Sequence, residues 1–95
     1  MVDKTEQQAL DEEFNLYFTY LKEHIEEAKK KESLSTLKTM YAHMRQGKDG
    51  DNNEEKPGFF DIPGKMKYNA WLELKGMDQN VAKKKFLEIA KGVFG

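Results

Sequence analysis

The sequence contains no cysteine. That excludes a disulfide framework, a thiol nucleophile and a zinc knuckle built on thiolates. It has only two prolines, Pro57 and Pro63, and a single tryptophan, Trp71. No run approaches the roughly 18 apolar residues that a membrane-spanning helix needs. The opening MVDKTEQQALDEE is polar and acidic, unlike a secretory signal or an Arg-rich transit peptide. Neither sign of charge dominates. Sixteen basic and 17 acidic residues leave a net charge of −1, which is no footprint for duplex nucleic acid. Any anion site must therefore be a local cluster. What is present is 95 residues, 38% of them hydrophobic, enough for one domain with one modest core. The expectation is a soluble cytoplasmic protein folded as a single domain, 1–95.

Four helical patterns follow one another, and strand patterns are absent, so the expected fold class is all-α. Thr5 opens a T-x-x-Q capping box with Gln8. Behind it Leu10, Phe14, Tyr17, Phe18, Leu21, Ile25 and Ala28 recur at three-to-four spacing, which predicts a helix over about 6–29, ended by the solvated run KKKES. Ser33 is placed to cap a second helix, about 33–46, with Leu34, Leu37, Met40, Tyr41 and Met44 as its stripe and Gly47 as its stop. A third runs from about Gly64 to Lys75, closed by Gly76. Asp78 caps a fourth, about 78–92, on which Ala82, Phe86, Ile89 and Val93 line one face.

Between the second and third lies GKDGDNNEEKPGFFDIP, residues 47–63, with turn-forming clusters and no helical period. A loop of this length is uncommon in a small domain unless it has a role. Phe59, Phe60 and Ile62 predict that it folds back onto the helices. Asp49, Asp51 and Asn53 fit the first three ligand positions of an EF-hand loop, but the required glycine is Glu54 and the closing glutamate would be Phe60. No metal site is expected.

No catalytic constellation is expected either. His43 points away from the helix-two stripe and His24 is similar, so both are expected in solvent. Carboxylates such as Glu12, Glu13, Glu26 and Glu27 lie on solvated faces, where no acid/base pair stands out.

The stretch GKMKYNAWLELKG, residues 64–76, poses a sharper question. At about 100° per residue, Ala70, Trp71 and Leu74 share a face, and Lys67 falls in its middle. An unpaired ammonium does not belong there; it must reach water or meet an anion. On helix two, Tyr41 and Arg45 are likewise neighbours, four residues apart, with Met44 beside them. A forked cation and a point cation suit a phosphate, and a tyrosine face suits a flat heterocycle. Periodicity alone leaves a second reading standing, with Tyr41 and Trp71 as core and Arg45 and Lys67 as rim charges.

The order of these residues is similar to the acyl-CoA-binding protein family. The family pattern is roughly Y-x-x-Y-K-Q, G-D-x-N, a basic residue with P-G, then D-x-x-G-K-x-K-W-x-A-W-x-x-L-K-G. Here it reads Tyr41, Arg45-Gln46, Gly50-Asp51, Asn53, Lys56-Pro57-Gly58, Asp61, Gly64-Lys65, Lys67, Ala70-Trp71 and Leu74-Lys75-Gly76, ungapped over 41–76. The resemblance implies a four-helix bundle of up-down-down-up topology with a long loop between helices two and three. It implies a non-catalytic carrier and buffer of medium- to long-chain fatty acyl-CoA esters. No cofactor is expected, the net charge predicts no nucleic-acid partner, and no exposed stripe demands a dimer, so a monomer is expected. The resemblance also implies that Tyr41 stacks on the adenine, that Arg45 and Lys67 hold the 3′-phosphate, that Phe86 closes the head-group site and that Met44 supplies apolar contact. Met44 and Phe86 each stand where the family has tyrosine, Arg45 where it has lysine, Tyr68 where it has tryptophan, and Pro63 at an often basic position. A first-helix lysine of the family corresponds to Lys22 or Lys29, if to either. The alternative is a helical interaction module that kept the fold and weakened or lost the ligand.

Overall fold

Thr5 caps the first helix as its sequence predicts: its hydroxyl accepts from the Gln8 amide at 3.1 Å, and the Gln8 side chain accepts from the Thr5 amide at 2.9 Å. The structure is a computed structural model that describes residues 5–95. It holds four helices, α1 Glu6–Lys31, α2 Leu34–Asp49, α3 Ile62–Leu72 and α4 Gln79–Phe94, and no strand among the described residues. Ser33, Asp61 and Asp78 cap the later three, each side chain accepting from backbone amides of the first turn.

The boundaries differ from the expected ones for local reasons. α1 runs on into the lysine run that was expected to end it, because Lys29, Lys30 and Lys31 complement the negative end of the helix. It kinks at His24, whose φ of −119° and ψ of 20° are not helical. Gly47 does not stop α2. It is buried inside the helix, where an added Cβ would lie 2.9 Å from Lys83 Cγ and 3.2 Å from Phe14 Cε1. Its small size permits the close approach of α1 and α4. The stop is Gly50, at a φ of +79°. α3 starts at Ile62 rather than Gly64, since Asp61 is its cap and Pro63 falls in the first turn, where a missing N–H costs nothing. It ends at Leu72, and 3₁₀-type bonds from Leu74 to Trp71 and from Lys75 to Leu72 carry the chain towards Gly76.

Contacts between helices give the topology. Asn80 donates to Gln7, Phe86 meets Phe14 edge-on and Phe94 meets Tyr20 edge-on, so positions on α1 and α4 rise together and the two helices run parallel. Lys67 meets Tyr41 and Trp71 meets Arg45, so α2 and α3 run parallel as well. The short link at Glu32 and Ser33 turns α1 back into α2. The bundle is therefore up-down-down-up. α4 packs on both α1 and α2, whereas α3 packs on α2 alone.

This arrangement produces two apolar clusters. The larger takes Phe14, Leu21 and Ala28 from α1, Met40 and Met44 from α2, and Phe86, Leu87, Ala90 and Val93 from α4. The smaller joins Ala42 of α2 to Ala70 and Trp71 of α3, with Leu74 packed against it. Leu34, placed in the stripe by periodicity, sits in the first turn of α2 and is exposed. The loop aromatics are not buried against the helices, and Phe59 meets α3 through the Lys65 ammonium, 4.2 Å from its ring centroid. Phe59 and Phe60 are 76% and 90% exposed and pack edge-on against each other, and Ile62 is exposed too. Polar bonds anchor this loop instead. Asn52 donates to the Tyr68 carbonyl at 3.1 Å, and Asp51 accepts from the Gly76 amide at 2.8 Å.

Candidate functional site

The seam between α2 and α3 carries two reciprocal rungs. Tyr41 and Arg45 are one turn apart on α2, and Lys67 and Trp71 are one turn apart on α3. The Lys67 ammonium lies over the Tyr41 ring, 5.3 Å from its centroid. The Arg45 guanidinium lies over the Trp71 ring, 4.5 Å from its centroid. Each helix thus gives one cation to an aromatic face of the other. Lys67 is exposed, while Ala70 and Trp71 are buried and Leu74 lies past the helix end. The ammonium expected in the middle of an apolar face has reached water, with an aromatic ring beneath it.

Of the five residues expected to bind ligand, Tyr41, Arg45 and Lys67 come together at this seam. Tyr41 is half-buried and packs on the larger cluster, and burial pushes its phenol above the usual range. Met44 is buried in that cluster, and Phe86 is wholly enclosed with its ring against Phe14. Arg45 is already occupied. Its guanidinium pairs with Asp49 at 3.3 Å and with Glu54 of the loop, and its buried Nε has no partner. Neither histidine is fully solvated. His43 Nδ1 lies 2.8 Å from the Thr39 carbonyl, and His24 stacks on Tyr20 at the kink. Among the described residues no group of His, Cys, Asp or Glu is arranged to hold a metal ion, and no helix is long and apolar enough to cross a membrane. An open hollow of about 600 Å³ lies on the seam of α2 and α4, lined by Thr36, Thr39, His43, Lys85 and Ile89 among others. None of the five expected residues lines it.

Beneath the seam is a network that the sequence reading did not find. Gln46 is fully buried. Its amide nitrogen donates to Asp51 Oδ1 at 2.8 Å and to the Met77 carbonyl at 2.9 Å, and its oxygen accepts from Trp71 Nε1 at 3.1 Å. These partners admit one orientation of the amide: two acceptors meet its nitrogen and one donor meets its oxygen. Trp71 Nε1 also donates to the Gly50 carbonyl at 2.8 Å. Gln46, Gly50, Asp51, Trp71 and Gly76 thus form one bonded unit that ties the loop and the end of α3 to α2. The available signal was a glutamine two residues beyond Met44, where α2 turns its packed side towards α3.

The Gly76 amide, and after it the Gln46 side chain, hold the Asp51 carboxyl below its usual value of 3.8. A carboxyl whose folded pKa is depressed contributes stability above the unfolded pKa and loses it as pH falls through the folded one. Its contribution is therefore complete above 3.8 and declines below that value. The urea midpoint of the wild type is expected to fall more steeply than that of Asp51→Asn between about pH 4 and pH 2. Parallel slopes would show that the acid limb arises at other carboxylates, of which Asp11, held down by Lys83, is one.

Comparison with known proteins agrees with this architecture. The family described as "Acyl CoA binding protein" matches residues 11–90. The acyl-CoA-binding protein homolog 1 of Caenorhabditis elegans is 38% identical over 68 residues, spanning 62% of this chain and 79% of that one. The acyl-CoA-binding protein of Saccharomyces cerevisiae is 37% identical over 65 residues, spanning 68% of this chain and 75% of that one. The Drosophila melanogaster homolog is 30% identical over 76 residues, spanning 80% of this chain and 88% of its own. The crystal structure of Oryza sativa acyl-CoA-binding protein 2 superposes with a TM-score of 0.71 over 90% of each chain at 23% identity, which shows a shared fold. With four helices in the same arrangement and a family match over most of its length, the chain belongs to the acyl-CoA-binding protein family.

Proposed function

We propose that this protein binds medium- to long-chain fatty acyl-CoA esters and carries and buffers them without catalysis, as a monomer in the cytoplasm. The observation that carries the reading is the reciprocal pair of rungs, two cations resting on two aromatic faces at one seam, in a chain of this family. A CoA head group presents a flat adenine and several phosphate charges. The Tyr41 face suits the adenine once the Lys67 side chain swings from ring to phosphate. The planar fork of Arg45 and the mobile ammonium of Lys67 are complementary ways to hold the 3′-phosphate. Met44 and Phe86, in the cluster on which Tyr41 packs, back the site with apolar surface. The head group supplies the anchor, and each methylene of the acyl chain that leaves water adds up to about 0.8 kcal/mol.

Titration with palmitoyl-CoA by calorimetry is expected to give one site per chain, with palmitate far weaker in a displacement assay. Palmitate lacks the anchor. Equal competition by the free acid would refute the head-group reading, and failure to bind either ligand would refute the function.

A further inference from the structure

Arg45 cannot receive a phosphate as it stands. Nη1 faces Asp49 and Nη2 faces Glu54, while Nε is enclosed and unpartnered. Trp71 covers one face of the guanidinium. The two carboxylates are not equivalent. Asp49 lies one turn along α2 from Arg45 and moves with that helix. Glu54 belongs to the loop 50–61 and is held by its amide, which donates to Asn52 Oδ1 at 3.0 Å. The Glu54 side chain is 54% exposed against 22% for Arg45, so it is the outer member of the pair and the one that an anion from solvent meets first.

Resting on the acyl-CoA reading above, we infer that Glu54 is a built-in competitor for the ligand's phosphate. Its carboxylate neutralises Arg45 in the free protein and gives way when the 3′-phosphate arrives. A ligand without that phosphate leaves the pair intact and gains nothing from Arg45. Glu54 is a positioning residue: it acts through Arg45 and sets how much of that cation's attraction the ligand receives. While paired, it gives the part-buried guanidinium a second counter-charge beside Asp49.

The test is binding of palmitoyl-CoA and palmitoyl-3′-dephospho-CoA to the wild type and to Glu54→Gln. The exposed site and the conserved shape of glutamine leave the fold intact, which circular dichroism checks. Glu54→Gln is expected to bind palmitoyl-CoA about two- to five-fold more tightly, the scale of a partly exposed ion pair. Its affinity for the dephospho ligand should stay put, so the ratio between the two ligands widens. Adenosine 3′,5′-bisphosphate, which lacks the acyl chain, should show the same gain. A merely structural role, in which Glu54 steadies the loop, would shift both acyl ligands equally, and that result or an unchanged palmitoyl-CoA affinity overturns the inference. If the wild type bound neither acyl ligand, the acyl-CoA reading would fall and this inference with it.

Discussion

Gln46→Ala is expected to lower the stability of the fold by about 2–4 kcal/mol, although the residue is polar and is expected to touch no ligand. Three hydrogen bonds disappear at once. The Met77 carbonyl loses its partner, Asp51 keeps the Gly76 amide, and Trp71 Nε1 keeps the Gly50 carbonyl. A void the size of the amide opens beside the indole, and the enclosed surroundings allow little relaxation. For a domain of this size a loss on that scale lowers the melting temperature on the order of 10–20 °C. Urea unfolding followed by circular dichroism measures it. A loss below about 1 kcal/mol would mean that the remaining bonds hold the loop and α3 without the glutamine.

Lys67→Met should do the reverse, sparing the fold and weakening the ligand. The side chain is exposed and makes one cation–π contact, with Tyr41. Methionine keeps the apolar stem, and its thioether is itself a fair neighbour for an aromatic ring. If the ammonium's partner is the 3′-phosphate, affinity for palmitoyl-CoA should fall by about ten- to a hundred-fold, the range for a charge-assisted contact. Affinity for palmitoyl-3′-dephospho-CoA should hardly change, because the lost charge had no partner there. The variant should retain the part of the discrimination that Arg45 supplies. Added salt should erode discrimination more in the wild type than in the variant, since screening reaches an exposed site. Equal weakening towards both ligands would make Lys67 a rim charge that steadies Tyr41, and the phosphate would need another partner.

Both predictions concern residues that the sequence displayed, but it displayed them unequally. The stripes of α1 and α4 and the caps Thr5, Ser33 and Asp78 follow local rules, and amphipathic period and side-chain hydrogen bonding make such features legible; the Asp61 cap, which moves the start of α3 to Ile62, was not read. Glycine is ambiguous by nature: Gly47 and Gly50 offer the same letter, one serving close packing and the other a left-handed backbone. Only tertiary contact separates them. Phe59 and Phe60 were expected inside because aromatic rings usually bury, yet the loop is fixed by Asp51 and Asn52, which leaves the rings free to face outwards. At the candidate site the cations could be read from spacing of four on each helix. The carboxylate that holds Arg45 could not, because Glu54 reaches it from a loop with no period. Gln46 was visible as part of a family pattern, but its role depends on partners at residues 51, 71 and 77, which no local rule brings together.

That α3 rests on α2 alone has a spectroscopic consequence. The sole tryptophan of the chain lies in the smaller cluster, on the helix with the fewest neighbours. Indole emission therefore reports on a single seam. Opening of α3 with the loop before it exposes little apolar surface beyond Trp71, Ala70 and Ala42, so it is the natural low-energy excursion of the molecule, while the cluster built from α1, α2 and α4 stays closed. Amide exchange in α3 should accordingly outpace exchange in α2 and α4, and emission should change before helicity does. A ligand that bridges Tyr41 and Lys67 would fasten these unequal halves together, coupling two unfolding units into one.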